Sequence, residues 1–237
     1  MKNNAPSLYL FPSNLSESPI GEVLPAINIE IITEVKHFIV ENIRTARRFL
    51  KKCNRDINID ELTFSVVDIN TDPATIPEML QPMTQGHNMG IISEAGCPAV
   101  ADPGALVVAE AHKRGYRVMP LVGPSSILLS LMGSGFNGQS FTFLGYLPIH
   151  ASERAAALKQ MHADIVRNRR TQIFIETPYR NNKMIADIIA TLPSTTRLCV
   201  ATDLTGPGQR IITLTLSQWR KQQLNFDKIP AIFLLYT

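Results

Sequence analysis

Cysteine is scarce in this chain. Cys53, Cys97 and Cys199 are three in number and far apart, so they make neither a disulfide framework nor a C-x-x-C metal pair, and they suit a reducing compartment. The five histidines (His37, His87, His112, His150 and His162) have no ligand spacing either, and no structural metal is expected. No apolar run approaches the ~18 residues of a membrane span. The start, Met1-Lys2-Asn3-Asn4-Ala5-Pro6, lacks the long apolar run of a secretory leader, which sets a cytoplasmic protein as the expectation. There is no G-x-x-x-x-G-K-[ST], so phosphoryl transfer from ATP has no cradle. Excess charge is also missing. Twenty-three Lys+Arg against twenty Asp+Glu leave +3, which permits an anionic partner without demanding one. What remains is a globular composition: 237 residues, 45% hydrophobic and 18% charged, enough for one large domain or two ordinary ones.

Short apolar runs alternate with helical patterns through the first half. Strands are expected at 8–11, 37–40, 64–68, 89–93 and 117–121, with helices at 43–52, 75–85 and 105–114 between them. Strand and helix alternating at this spacing predict an α/β domain with a parallel sheet. Met89-Gly-Ile-Ile92 is apolar on both faces, as a covered strand should be. After Gly123-Pro124 the texture changes. Strands are expected at 141–147, 171–176, 197–202, 210–215 and 230–236. The helices there fall at 125–132, 153–166 (Ser152 its cap), 181–191 and 216–222. This half reads as a mixed α/β sheet. The boundary is placed near residue 122, giving domains 1–122 and 123–237.

Two basic clusters stand out: Arg44, Arg47, Arg48, Lys51 and Lys52, and then Arg167, Arg169 and Arg170. A solvated helix face or end accounts for such runs in many proteins. Gly133-Ser-Gly135-Phe-Asn-Gly138 is a literal G-x-G-x-x-G, but it follows a helix and precedes a strand. It therefore reads as a helix stop and turn, not a dinucleotide loop.

The informative segment runs from Ile91 through Ser93-Glu-Ala-Gly96-Cys97-Pro98-Ala-Val100-Ala101-Asp102-Pro103-Gly104. A buried strand ends, small residues follow, and a helix opens. Main-chain amides in such a loop can approach a ligand closely, and ligands of open α/β sheets lie beyond the carboxyl ends of the strands. On spacing alone, a tight structural loop fits as well as a ligand loop. The next strand ends alike, in Gly123-Pro124-Ser125-Ser126. Two small-residue strand ends, each opening a helix, raise the ligand reading. Glu176-Thr177-Pro178-Tyr179-Arg180 and Asp203-Leu204-Thr205-Gly206 add polar strand ends later.

These blocks carry a resemblance. Ser93 to Gly104 is similar to the S-D-A-G-T-P-x-x-S-D-P-G of the tetrapyrrole methylase superfamily. Gly123 to Ser126 resembles its G-P-S-A, Glu176 to Arg180 its E-S-P-H-R, and Ala201 to Thr205 its A-R-E-L-T. The order is the same, and the nearest branch is that of the small-subunit ribosomal RNA 2′-O-ribose methyltransferases. The match runs from about Met89 to Thr215. The resemblance implies a two-domain α/β fold, usually a homodimer, with S-adenosylmethionine between the domains. Carried over by motif, the cofactor contacts are Ser93, Gly96, Cys97, Pro98, Val100, Ala101 and Asp102, then Ser125, Ser126, Glu176, Thr177 and Leu204. Main-chain groups dominate them, which lets Cys97 stand where the family has Thr. Pro230 and Ala231 resemble the Pro-Ala of tetrapyrrole-modifying relatives and are expected beside adenine. RNA is the acceptor the resemblance implies, with the Arg44, Arg47 and Arg48 helix on its phosphates.

The departures lie in the N-terminal half. T-P-I-G-N-L appears as Pro12-Ser-Asn-Leu-Ser16, A-E-D-T-R-H-T as Val40-Glu41-Asn42-Ile43-Arg44-Thr45-Ala46, and H-E-H-N as Val67-Asp68-Ile69-Asn70. Methyl transfer to a hydroxyl needs its proton removed. Glu41, Arg44, Asp68, Glu94 and Asp102 are the candidates, and none is singled out. A tetrapyrrole or other small-molecule acceptor, and a cofactor-binding regulator without turnover, are the two alternatives.

Overall fold

The structure, a computed structural model, describes residues 5–237. The expectation about a leader rests partly on Met1 to Asn4 and lies outside the described residues. The chain divides into two compact units, one up to Pro124 and the other from Ser125.

The first unit holds the strands β1 (Ser7–Phe11), β2 (His37–Val40), β3 (Thr63–Val66), β4 (Met89–Ile92) and β5 (Arg117–Pro120). They form one sheet in the order β3-β2-β4-β1-β5, every pair parallel. The parallel order follows from the composition: β4 lies centrally and is buried along its whole length. Gly90 is required there, because a Cβ would sit 2.7 Å from the Phe11 ring and 2.9 Å from Phe38. The helices are α1 (Ile20–Val23), α2 (Ala26–Glu34), α3 (Ile43–Cys53), α4 (Ile76–Met79), α5 (Gln81–Thr84) and α6 (Gly104–Lys113). One core gathers Phe11, Phe38, Phe49 and Leu50, and a second, on Leu8, Ile39 and Ile91, gathers Leu80, Met83 and Val107. Each such side chain contributes roughly 1.5–3 kcal/mol on burial.

Two expectations need correction here. The helix at 75–85 is a 3-10 turn (Pro73–Thr75) followed by two short helices that break at Leu80. Pro82 is the reason, since it offers no N–H and its ring collides with the carbonyl four residues back. The strand expected to reach Asp68 stops at Val66, where Asp68 starts a turn by accepting from Asn70 N at 2.9 Å.

The second unit adds β6 (Phe141–Tyr146), β7 (Thr171–Ile175), β8 (Arg197–Thr202), β9 (Arg210–Thr215) and β10 (Ala231–Tyr236), in the order β6-β7-β10-β8-β9. β6 and β7 are parallel and the other pairs antiparallel, so this sheet is mixed. Its helices are α7 (Ser126–Ser134), α8 (Ala151–Asn168), α9 (Asn181–Thr191) and α10 (Leu216–Trp219). Helix α7 runs through Gly133 and stops at Gly135, whose φ of 72° is the left-handed cap. A Cβ at Gly133 would overlap Ile211, so this glycine admits β9 against the helix. Ser152 lies inside α8 and caps nothing; the helix starts at Ala151 after His150. The Arg167, Arg169 and Arg170 cluster is a helix end, with Arg169 left-handed at φ 52° and Arg170 3.5 Å from Asp164. Among the described residues no helix is long and apolar enough to cross a membrane.

Candidate active site

The carboxyl ends of the first sheet carry the candidate loops. Residues after β1, β2 and β4 emerge side by side, because Phe11 and Val40 both pair with Ile92. The Ser93–Gly104 loop is held from both ends. Ser93 Oγ donates to the Gly96 carbonyl at 2.9 Å, and Asp102 Oδ1 accepts from Gly104 N at 2.6 Å. Gly96, Ala99 and Ala101 are left-handed, with φ of 73°, 65° and 55°. Alanine in that region is strained by roughly 1–2 kcal/mol, so the loop holds a shape its side chains do not favour. Such strain collects at ligand sites. Ser93, Gly96 and Pro98 are buried, whereas Val100 and Ala101 are exposed. Cys97 Sγ donates to the Pro124 carbonyl at 3.6 Å. Ser13 and Gly96 exchange main-chain hydrogen bonds of 2.9 and 3.2 Å, which ties the loop after β1 to the loop after β4. In that neighbouring loop Ser13 Oγ, Asn14 Oδ1 and Ser16 Oγ are buried without a partner.

Three carboxylates meet at the same sheet end. Glu94 N donates to Glu41 Oε1 at 3.4 Å, Thr45 Oγ1 donates to Glu94 Oε1, and the Asp102 carboxyl lies in hydrogen-bonding reach of Glu41. Burial, followed by the Asp102 carboxyl, pushes Glu41 up to about 7. The physics is that of like charges sharing a site, where one group keeps a proton. A carboxyl titrating near neutral pH can take up or release a proton under ordinary conditions. Of the sequence candidates, the structure thus brings Glu41, Glu94 and Asp102 together, and leaves Asp68 in its own turn. Asn42 caps α3, accepting from Arg44 N at 2.9 Å and Thr45 N at 3.3 Å. An aspartate there would cap equally well; asparagine does so without adding a fourth charge next to Glu41. Among the described residues no group of three or more His, Cys, Asp or Glu is arranged to hold a metal ion.

In the second unit the matched strand ends also share one sheet edge. Ala231 pairs with Thr202, and Ile232 with both Ala201 and Ile175, so Glu176, Asp203 and Pro230 emerge next to one another. Glu176 is buried and fully engaged: its Oε1 accepts from Thr177 N at 2.7 Å and from Arg180 at 3.1 and 2.5 Å. Asp203 binds its own turn through Gly208 N at 2.8 Å. Leu204 is buried between left-handed Asp203 and Thr205. Thr202 Oγ1 and Thr205 Oγ1, also buried, have no partner. Leaving such groups unsatisfied costs about 1–3 kcal/mol each, which a ligand with hydroxyl or amino groups would relieve. Ser125 caps α7 by accepting from Leu128 N at 3.4 Å, and Ser126 opens that helix. The unpartnered hydroxyls were not legible beforehand, since Thr in a strand is ordinary.

No family model matches the chain. Ribosomal RNA small subunit methyltransferase I of Vibrio cholerae is 27% identical over 99% of this chain and 78% of that protein. Its namesake from Escherichia coli O157:H7 is 28% identical over 98% of this chain and 78% of its own length. Among solved structures, the methyltransferase CobJ superposes with a TM-score of 0.62 at 15% identity, covering 98% of this chain and 93% of that one. The chain is a methyltransferase of the tetrapyrrole methylase fold. As a member of that fold it has a parallel five-stranded sheet followed by a mixed one, as the strand reading expected. Methyltransferases of this kind draw on S-adenosylmethionine in general. The chain's own groups fit such a donor. Within the first unit the small-residue loop leaves main-chain groups open to close approach, and within the second the buried Thr202 and Thr205 hydroxyls lack a partner that a polar ligand would supply.

Proposed function

We propose that this chain methylates a ribose 2′-hydroxyl of small-subunit ribosomal RNA, with S-adenosylmethionine as donor. The observation that carries the reading is the Glu41 carboxyl at the end of the first sheet, accepting from Glu94 N at 3.4 Å and facing Asp102, where burial and then the Asp102 carboxyl push it up to about 7. A hydroxyl acceptor must lose its proton as the new bond forms, and a group titrating near 7 is matched to that task. The donor supplies an electrophilic methyl on a sulfonium, so transfer is one in-line displacement. The protein then contributes alignment and proton removal. The O–C bond forms as the S–C bond breaks, the electron pair stays on sulfur, and the hydroxyl proton passes to Glu41.

In this reading the first unit holds the donor through main-chain groups of Ser93, Gly96, Cys97, Pro98, Val100 and Ala101, with Asp102 positioning Glu41. The second unit, taken by itself, carries the further candidate contacts Ser125, Ser126, Thr177, Leu204, Pro230 and Ala231 that the resemblance implies. Glu176 serves indirectly, because its carboxylate is bound to Arg180 and shapes the turn. The names of the similar proteins support the acceptor. A tetrapyrrole acceptor has Pro230-Ala231 in its favour.

The test is incorporation of label from S-adenosylmethionine into small-subunit ribosomal RNA. The RNA comes from cells lacking this protein, and the product is mapped by mass spectrometry. A 2′-O-methylated nucleotide is expected. Label entering only small molecules, or none at all, overturns the reading.

A further inference from the structure

We infer that the C-terminal half of α3, with Arg55 just beyond it, is a docking surface for the phosphate backbone of the RNA substrate. A groove of about 740 Å³ runs along the first unit, with Arg48, Lys51, Lys52 and Arg55 on one wall and Glu17 and Ile20 opposite. The spacing 48, 51, 52 is i, i+3, i+4, which stacks these side chains on one helix face, and Arg55 follows in the turn after the helix. Like charges at these spacings repel. Among the described residues, Arg48, Lys51 and Arg55 enter no ion pair; Lys52 meets Glu17 at 3.2 Å, and Glu17 is 91% exposed. The Lys51 ammonium donates to the Arg55 carbonyl at 2.8 Å, which holds it along the groove.

The rest of the basic helix is differently engaged. The Arg47 guanidinium lies 5.5 Å from the Phe64 ring centroid, and neither Arg44 nor Arg47 is among the groove's lining residues. The proposed phosphate-facing set is therefore the groove's own cations, Arg48, Lys51, Lys52 and Arg55, of which Arg48 also belongs to the set the resemblance implied. A polyanion relieves the repulsion along this face, and each contacted phosphate releases counterions. An apolar residue, Ile20, on the opposite wall also gives ribose faces a surface to rest on.

This inference rests on the RNA reading above, and its test is kept separate from turnover. Binding of an unmethylated small-subunit ribosomal RNA transcript is measured without methyl donor, from about 50 to about 200 mM salt. The Arg48→Gln/Lys51→Gln double variant is compared with the wild type. Two lost phosphate contacts should lower the slope of log affinity against log salt by roughly 1.4–1.8. They should also raise KM for RNA while kcat holds. Circular dichroism and calorimetry with S-adenosylhomocysteine check that the variant is folded. An unchanged slope and affinity overturn the inference, as does wild-type binding to anionic vesicles or acidic protein but not to RNA. Absence of methyl transfer by a wild type whose RNA binding does respond to the double variant sinks the function proposed above and leaves the groove standing.

Discussion

The carboxyl of Glu41, at the end of β2, lies in hydrogen-bonding reach of the carboxyl of Asp102, at the start of α6. Neither residue is remarkable in sequence, and they are brought together because both follow carboxyl ends of adjacent parallel strands. The first prediction follows from that pair. The methylation rate should climb about tenfold per pH unit below 7 and level off above it, since the deprotonated form is the proton acceptor. Glu41→Gln should remove the pH dependence and cost roughly a hundredfold or more in kcat. A Glu41→Gln variant with the wild-type profile would exclude the role.

The same pair has a stability consequence of known sign. Glu41 binds its proton to about 7 in the folded chain, against an ordinary glutamate value of 4.5. Between those values the folded state holds more protons than the unfolded one, so stability falls as pH rises through that window. Glu41→Gln escapes the fall. It should gain on the order of 1 kcal/mol over wild type at pH 8, a figure discounted because the carboxyl is only half-buried. Urea unfolding at pH 5 and pH 8 reads the difference, and an equal gain at both would contradict the linkage.

Ala101 is exposed and left-handed at φ 55°. Ala101→Gly should stabilise the chain by roughly 1 kcal/mol, because glycine accepts that conformation freely. Ala101→Trp should abolish S-adenosylhomocysteine binding by filling the loop. Calorimetry on both variants separates the effects. Retained binding in Ala101→Trp would move the donor away from this loop.

Thr202 is 1% exposed and its hydroxyl has no partner. Thr202→Val removes an unsatisfied polar group and should leave stability level or slightly raised. If the hydroxyl receives the donor, affinity for S-adenosylhomocysteine should drop about five- to tenfold, the worth of one hydrogen bond. A stable variant with unchanged affinity would mean the hydroxyl does not face the ligand.

Gly123 packs on Pro12, and a Cβ there would overlap that ring. The proline is rigid and buried, so Gly123→Ala should cost about 1–3 kcal/mol by overpacking. Thermal unfolding checks it.

Much of the fold was legible because burial writes a simple pattern. Phe38, Ile39 and Val40, or Met89 to Ile92, are apolar whichever face they present, and only a covered strand tolerates that. The boundaries Asn181–Thr191 and Arg197–Thr202 followed from the same contrast. Helix α2 had no counterpart in the sequence reading. Ala26-Ile-Asn-Ile-Glu-Ile alternates like a strand, and its helicity comes from packing, with Asn28 Nδ2 donating to the Val122 carbonyl at 2.8 Å. The helix expected at 75–85 breaks at Leu80 because Pro82 lacks the N–H that would continue it. At the site, the loops were visible as runs of small residues. Which carboxylates meet was not, because Glu41 and Asp102 are sixty-one positions apart in the numbering and only the strand order joins them.

The paired main-chain bonds between Ser13 and Gly96 make two distant loops move as one body. A molecule settling against either loop meets both already in place, so little ordering entropy is charged to association. Lengthening either loop by one residue would unzip that seam, and the loss should show first in affinity and only later in melting temperature.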